Sequence, residues 1–184
     1  MKSVLISIQP KWCELIASGK KTVEVRKTKP KLETSFKVYI YETKALYKPN
    51  GCKCLYEGNG KVIGHFICDK IVEFPHDPYD PAFSETADLS CVGIDGLSEY
   101  LGHKDYGYGW HISDLVIYDK PRELSEFYIY CGDNPKCDGC EAHYFSNTEC
   151  GKEDYCCSII DGCKPIKRPP QSWCYVERSE NGKS

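Results

Sequence analysis

Apolar runs and alternating positions divide the chain into short segments, most of which read as strands. Ser3–Ile8 is apolar and rich in β-branched residues, the mark of a buried strand. Gln9-Pro10 ends it. Pro10 suits the first turn of a helix in which Trp12, Leu15 and Ile16 recur at helical spacing before Gly19 stops it. Residues 22–27 alternate: in an extended chain Thr22, Glu24 and Arg26 share one face, Val23 and Val25 the other. Phe36–Glu42 is a third strand of strong β propensity. Residues 43–59 read as a loop around Pro49-Asn50-Gly51, and residues 60–74 as one long strand bent at Gly64. Residues 75–90, with Pro75, Pro78 and Pro81, are expected to be irregular or weakly helical, and residues 97–102 to form one helical turn. Residues 108–118 and 172–177 are further strands, a single turn falls at 123–127, and a polar tail occupies 179–184.

Five or six strands with two short helices lack the helical crossovers of a doubly wound sheet. The expectation is an α+β, mainly β chain: a small, mostly antiparallel barrel with helices plugging its ends. At 184 residues it suits one domain, 1–178, interrupted by a cysteine-rich insertion at 131–164.

Charge sharpens one part of this picture. The net charge of −3 excludes a wholly basic nucleic-acid binder. Yet the first 31 residues hold eight cations, Lys11, Lys20, Lys21 and Arg26 among them, against only Glu14 and Glu24. A local basic patch attracts phosphate even on an acidic protein, because screening confines charge effects to about 8 Å at physiological salt. No apolar run is long enough to span a membrane, and no cleavable leader is evident, so a cytoplasmic protein is expected.

The run Gly19-Lys20-Lys21-Thr22-Val23-Glu24-Val25-Arg26 resembles the G-x-K-x-x-E-x-R signature of ASCH-domain proteins, members of the PUA-like superfamily. Ile8-Gln9-Pro10-Lys11-Trp12, Lys29-Pro30, Gly109-Trp110-His111-Ile112 and Arg168-Pro169-Pro170-Gln171-Ser172-Trp173 are similar to bacterial and phage-borne members. The resemblance covers residues 1–130 and 165–178. It implies a PUA-like pseudo-barrel with a cleft beside the signature strand, and roles in RNA binding, translation or chemistry on RNA and modified nucleosides. One branch hydrolyses the amide of an acetylated cytidine with a lysine and a threonine of this motif and a distant glutamate. Lys21 matches that lysine; Glu24 stands at the threonine position, and no residue is matched to the glutamate.

The residue chemistry fits a polar cleft. Arg26 offers a planar fork for phosphate or carboxylate, Lys21 a general acid or, if desolvated, a base, and Glu24 an acceptor for a proton or an exocyclic amine. Lys21 and Glu24 are therefore the candidate catalytic pair. Lys20, Lys21, Thr22, Glu24 and Arg26 are candidate ligand contacts. Trp12, Tyr106 and Trp110 are candidate stacking platforms, and His111 lies beside them. Tyr106-Gly107-Tyr108-Gly109-Trp110 reads as an accessible loop. Aromatic residues at strand positions are also ordinary core, and a Glu–Arg pair is also an ordinary salt bridge.

Eight of the thirteen cysteines fall between Cys131 and Cys174. Cys137-Asp138-Gly139-Cys140 is a CxxC turn that brings two thiolates to one tetrahedral ion, and Cys150 with Cys156 or Cys157 completes a zinc site. His143 is an alternative ligand. The segment has too few aliphatic residues for its own core, and zinc would supply the folding energy. Free thiols or disulfides are the other readings. With seven acids against two lysines over residues 131–163, the segment suits a protein partner better than phosphate. Three functions follow: an RNA- or modified-nucleoside-binding protein; a hydrolase, whether nucleoside amidohydrolase or ribonuclease; or a protein-interaction module.

Overall fold

A computed structural model of the chain describes residues 3–48, 55–129 and 165–178. All six residues of β1, Ser3–Ile8, are buried. Apolar side chains on both faces suit a central strand, and β1 runs between β11 (Trp173–Arg178, antiparallel) and β3 (Phe36–Glu42, parallel). β3 continues antiparallel to β6 (Val62–Cys68), and β6 to β9 (Ser113–Arg122). With β10 (Phe127–Ile129) on the far side of β11, the order of this six-stranded sheet is β10-β11-β1-β3-β6-β9.

Both faces of that sheet are packed. Val4, Ile6, Val38, Ile40, Phe66 and Trp110 fill the main core on one side. Leu5, Tyr39, Val62, Phe127 and Val176 form a second cluster on the other. Period-two alternation in β1 sends Val4 and Ile6 one way and Leu5 the other.

A second sheet, β2-β8-β7, is antiparallel throughout: β2 is Val23–Arg26, β8 Tyr106–His111 and β7 Ile71–Pro75. Two helices, α2 (Pro81–Leu89) and α3 (Ile94–Leu101), contribute Phe83, Ala87, Leu97 and Leu101 to a third cluster with Val25 and Phe74. The chain crosses between the sheets at residues 69–70 and returns at Ile112.

The expected α+β architecture with mostly antiparallel strands is therefore present, with three corrections. The segments at 60–74 and 108–118 are each two strands, because the chain changes sheets within them. A short hairpin, β4 (Leu46–Tyr47) with β5 (Tyr56–Glu57), lies within the expected loop. Within the proline-rich stretch, expected to be irregular or weakly helical, residues 81–89 form a regular helix: Pro81 starts it, and Asp80 accepts a hydrogen bond from the Ala82 N–H at 2.8 Å. α1 (Pro10–Ala17) makes three helices among the described residues, besides a single 3-10 turn at Leu124–Glu126. No helix among them is long and apolar enough to cross a membrane.

Candidate functional site

Gly19 ends α1 at φ +73°, a conformation a side chain would strain, and the Lys20 and Lys21 N–H groups close back on the Leu15 carbonyl at 3.0 Å each. The turn carries the chain into β2 and sends Lys21 into a cleft. There Lys21, Glu24 and Arg26 are only 2, 6 and 8% exposed. Lys21 Nζ lies 3.2 Å from Glu24 Oε2, and Arg26 Nη2 lies 2.9 Å from Glu24 Oε1, so one carboxylate is held by two cations.

Each cation has a backbone acceptor too. Lys21 Nζ donates to the Ser90 carbonyl at 2.8 Å, at the C-terminus of α2, where the helix dipole favours positive charge. Arg26 Nη2 donates to the Ser7 carbonyl on β1 at 2.7 Å. Three buried charges are tolerable because each is ion-paired and each cation also has a backbone acceptor. Among the described residues neither Arg26 Nε nor the Thr43 hydroxyl, both buried, has a hydrogen-bond partner, and both residues line the cleft.

The cleft measures about 820 Å³, within the range of small-ligand sites. Trp12, half-buried, forms part of its wall, with Lys11 Nζ at 4.3 Å and Lys21 Nζ at 5.3 Å from the ring centroid. Tyr100 of α3 stands opposite, with Lys27 Nζ 5.2 Å from its ring. Burial pushes the Tyr100 hydroxyl above its ordinary pKa, the nearby Arg26 guanidinium acting against that rise. Glu99 and Gln171 add polar groups to the wall.

Of the expected contacts, Lys21, Glu24, Arg26 and Trp12 meet in this cleft. Lys20 is exposed outside its lining, and Thr22 is tied by its backbone to Leu89 and Ile112. Trp110 is not a stacking platform. Opposite Glu24 in the β2–β8 register, it is fully buried between Phe36 and Trp173, each 5.9 Å away. Nor are the glycines of 106–110 a loop. They lie in β8, where a Cβ on Gly107 would stand 2.4 Å from the Phe74 ring. Tyr106 is 54% exposed but lies outside the cleft, and His111 bonds Asp69 at 2.6 Å at the corner between the sheets.

Ser7, Thr43, Ser90 and Tyr100 were not singled out by sequence reasoning. The first and third act through backbone carbonyls, which no residue type announces. The zinc ligands Cys137, Cys140, Cys150, Cys156 and Cys157, with His143, lie outside the described residues. Among those described, Cys13, Cys68, Cys91 and Cys174 are free, and no three metal-binding side chains gather. Burial pushes Cys68 up to about 12 and Cys174 up to about 11.

The family model of the ASCH domain matches residues 6–101, from β1 through the cleft to the end of α3. The chain belongs to the ASCH domain family. ASCH domains are in general RNA-binding domains of the PUA-like fold. Among solved structures, the ASCH protein of Zymomonas mobilis aligns with a TM-score of 0.56 at 18% identity, over 95% of this chain and 87% of that one. A tyrosine-to-phenylalanine variant of it gives 0.57 at 18% identity over 96% and 91%. A serine-to-alanine variant gives 0.57 at 19% over 95% and 88%. These likenesses show a shared fold. A search of curated proteins finds no match.

Proposed function

We propose that this ASCH domain binds single-stranded RNA or a modified nucleoside in the cleft on β2. The observation that carries the reading is Arg26. Its Nη2 is committed to Glu24 and Ser7, while Nε, buried and without an acceptor among the described residues, belongs to a residue of the cleft wall. A buried donor left unpaired costs about 1–3 kcal/mol, which a ligand acceptor would recover. Trp12 offers a base a ring to stack on, and Lys11 and Lys27 stand close to the cleft's two aromatic walls for phosphate.

Glu24 favours binding over hydrolysis. Both its oxygens are engaged by cations, so it is poorly placed to take a proton from water. Lys21 is likewise held by Glu24 and Ser90. We also propose a cytoplasmic setting and structural zinc in residues 131–164. Tyr128 pairs with Pro165, so residues flanking the segment lie side by side, as an insertion requires.

The test is fluorescence anisotropy with labelled short RNAs, alongside calorimetry with nucleosides including acetylated cytidine. Affinity for RNA should fall as salt rises. Arg26→Ala should abolish binding, and Trp12→Ala, outside the charge cluster, should weaken it roughly 5- to 100-fold. Binding that ignores both substitutions would overturn the assignment. Turnover of acetylated cytidine abolished by Lys21→Ala would move the reading to a hydrolase.

A further inference from the structure

Four charged residues are buried among those described: Lys21, Glu24, Arg26 and Glu42. The first three form one ion-paired cluster. Glu42, at the end of β3 and only 5% exposed, has no ion-pair partner among the described residues. Its Oε2 accepts hydrogen bonds from the Asn59 N–H at 2.8 Å and the Tyr56 hydroxyl at 3.4 Å, and no described residue donates to Oε1. Buried carboxylates are ordinarily paired with a cation.

Glu42 lines a second cavity, of about 400 Å³, which shares no lining residue with the cleft. α1 is the partition: Lys11 and Trp12 face the cleft, Pro10, Cys13, Glu14 and Ala17 the cavity. The remaining wall is largely apolar, with Ile63, Ile117 and the Tyr118 ring. Among the described residues that line it, two are carboxylates, Glu42 and Glu14, and none is a cation. The Cys13 thiol, behind the helix, is pushed up by burial and then by the charge of Glu42.

We propose that this cavity binds a primary alkylammonium group on a short apolar chain. Three observations select that chemistry. A bare divalent cation takes six or more oxygens, and no three metal-binding side chains meet among the described residues. A guanidinium engages both oxygens of a carboxylate in a fork, whereas Oε2 of Glu42 already accepts two bonds. An ammonium needs one open oxygen, and Oε1 supplies it. The apolar wall then covers the alkyl chain. The same head and chain occur in a free amine and in a lysine side chain.

Methyl NMR of the full chain at constant ionic strength tests this, with n-butylammonium, n-butanol, magnesium chloride and a blocked lysine amide as probes. Butylammonium should shift the Ile63 and Ile117 methyl signals saturably, and butanol should bind at least about tenfold more weakly. A response to the lysine amide as well would identify a protein side chain as the source; a response to butylammonium alone, a free amine. Glu42→Gln should weaken binding about tenfold or more. Should that variant not fold, Ala17→Phe, on the exposed side of α1, fills the cavity and should abolish binding. Equal binding of butanol, a response to magnesium alone, no response, or binding that survives both substitutions would overturn the proposal.

Discussion

Replacing Glu24 by glutamine keeps the size of the side chain and removes the one charge that Lys21 and Arg26 share. Two buried cations would remain, with only carbonyls as partners. The expected loss is about 3–5 kcal/mol, read as a lower urea midpoint at unchanged slope. At the exposed corner between the sheets the stakes are smaller. The hydrogen bond from His111 holds the Asp69 carboxyl below its ordinary pKa. A depressed folded-state value means that this stability is fully present above the unfolded pKa of about 3.9 and is lost as pH falls through the folded one. Asp69→Asn should therefore lower stability slightly at neutral pH, the pair being solvent-screened, and not at all below the folded-state value, so that the acid limb below about pH 4 flattens. Thermal melts from pH 2 to 7 check both. At this scale the sequence was legible where a side chain carries the chemistry, as in Lys21, Glu24 and Arg26. It was silent on Ser7 and Ser90, whose contribution is a carbonyl that any residue possesses.

The elements that misled did so for identifiable reasons. Only two polar residues interrupt the apolar runs at each corner, Asp69-Lys70 and Ser113-Asp114, so one strand and two strands joined at a corner look alike until the partners are known. The Gly-aromatic alternation of β8 suggested mobility, yet Gly107 is small because the Phe74 and Leu101 side chains occupy the space beside it. Gly107→Ala should cost about 1–3 kcal/mol through overpacking. α2 was underestimated as weakly helical because of its prolines, although Asp80-Pro81 is a regular helix start. Asp80→Ala should cost about 1 kcal/mol by exposing the Ala82 N–H. Chemical denaturation measures both losses, and the larger should belong to the glycine.

For the whole molecule, the mainly β, mostly antiparallel architecture was readable because short strands outnumber helices, which are too few for the repeated crossovers of a doubly wound sheet. The parallel pairing of β1 with β3 was not: it depends on a crossover through α1 and β2, which share no local signature of direction. The asymmetry of charge was readable, and it gathers Lys11, Lys21 and Arg26 at one cleft.

The bridge between Tyr128 and Pro165 has a consequence for chain entropy. It closes a ring of about 35 residues, and closing a ring grows costlier as (3/2)RT ln n. Against a four-residue turn the difference is about 2 kcal/mol. A variant in which such a turn joins residues 129 and 165 tells whether the segment returns more than that. If bound zinc supplies its folding energy, the shortened chain should be less stable than the metal-loaded protein. It should be more stable than the chelator-stripped one, with metal content measured on the same samples.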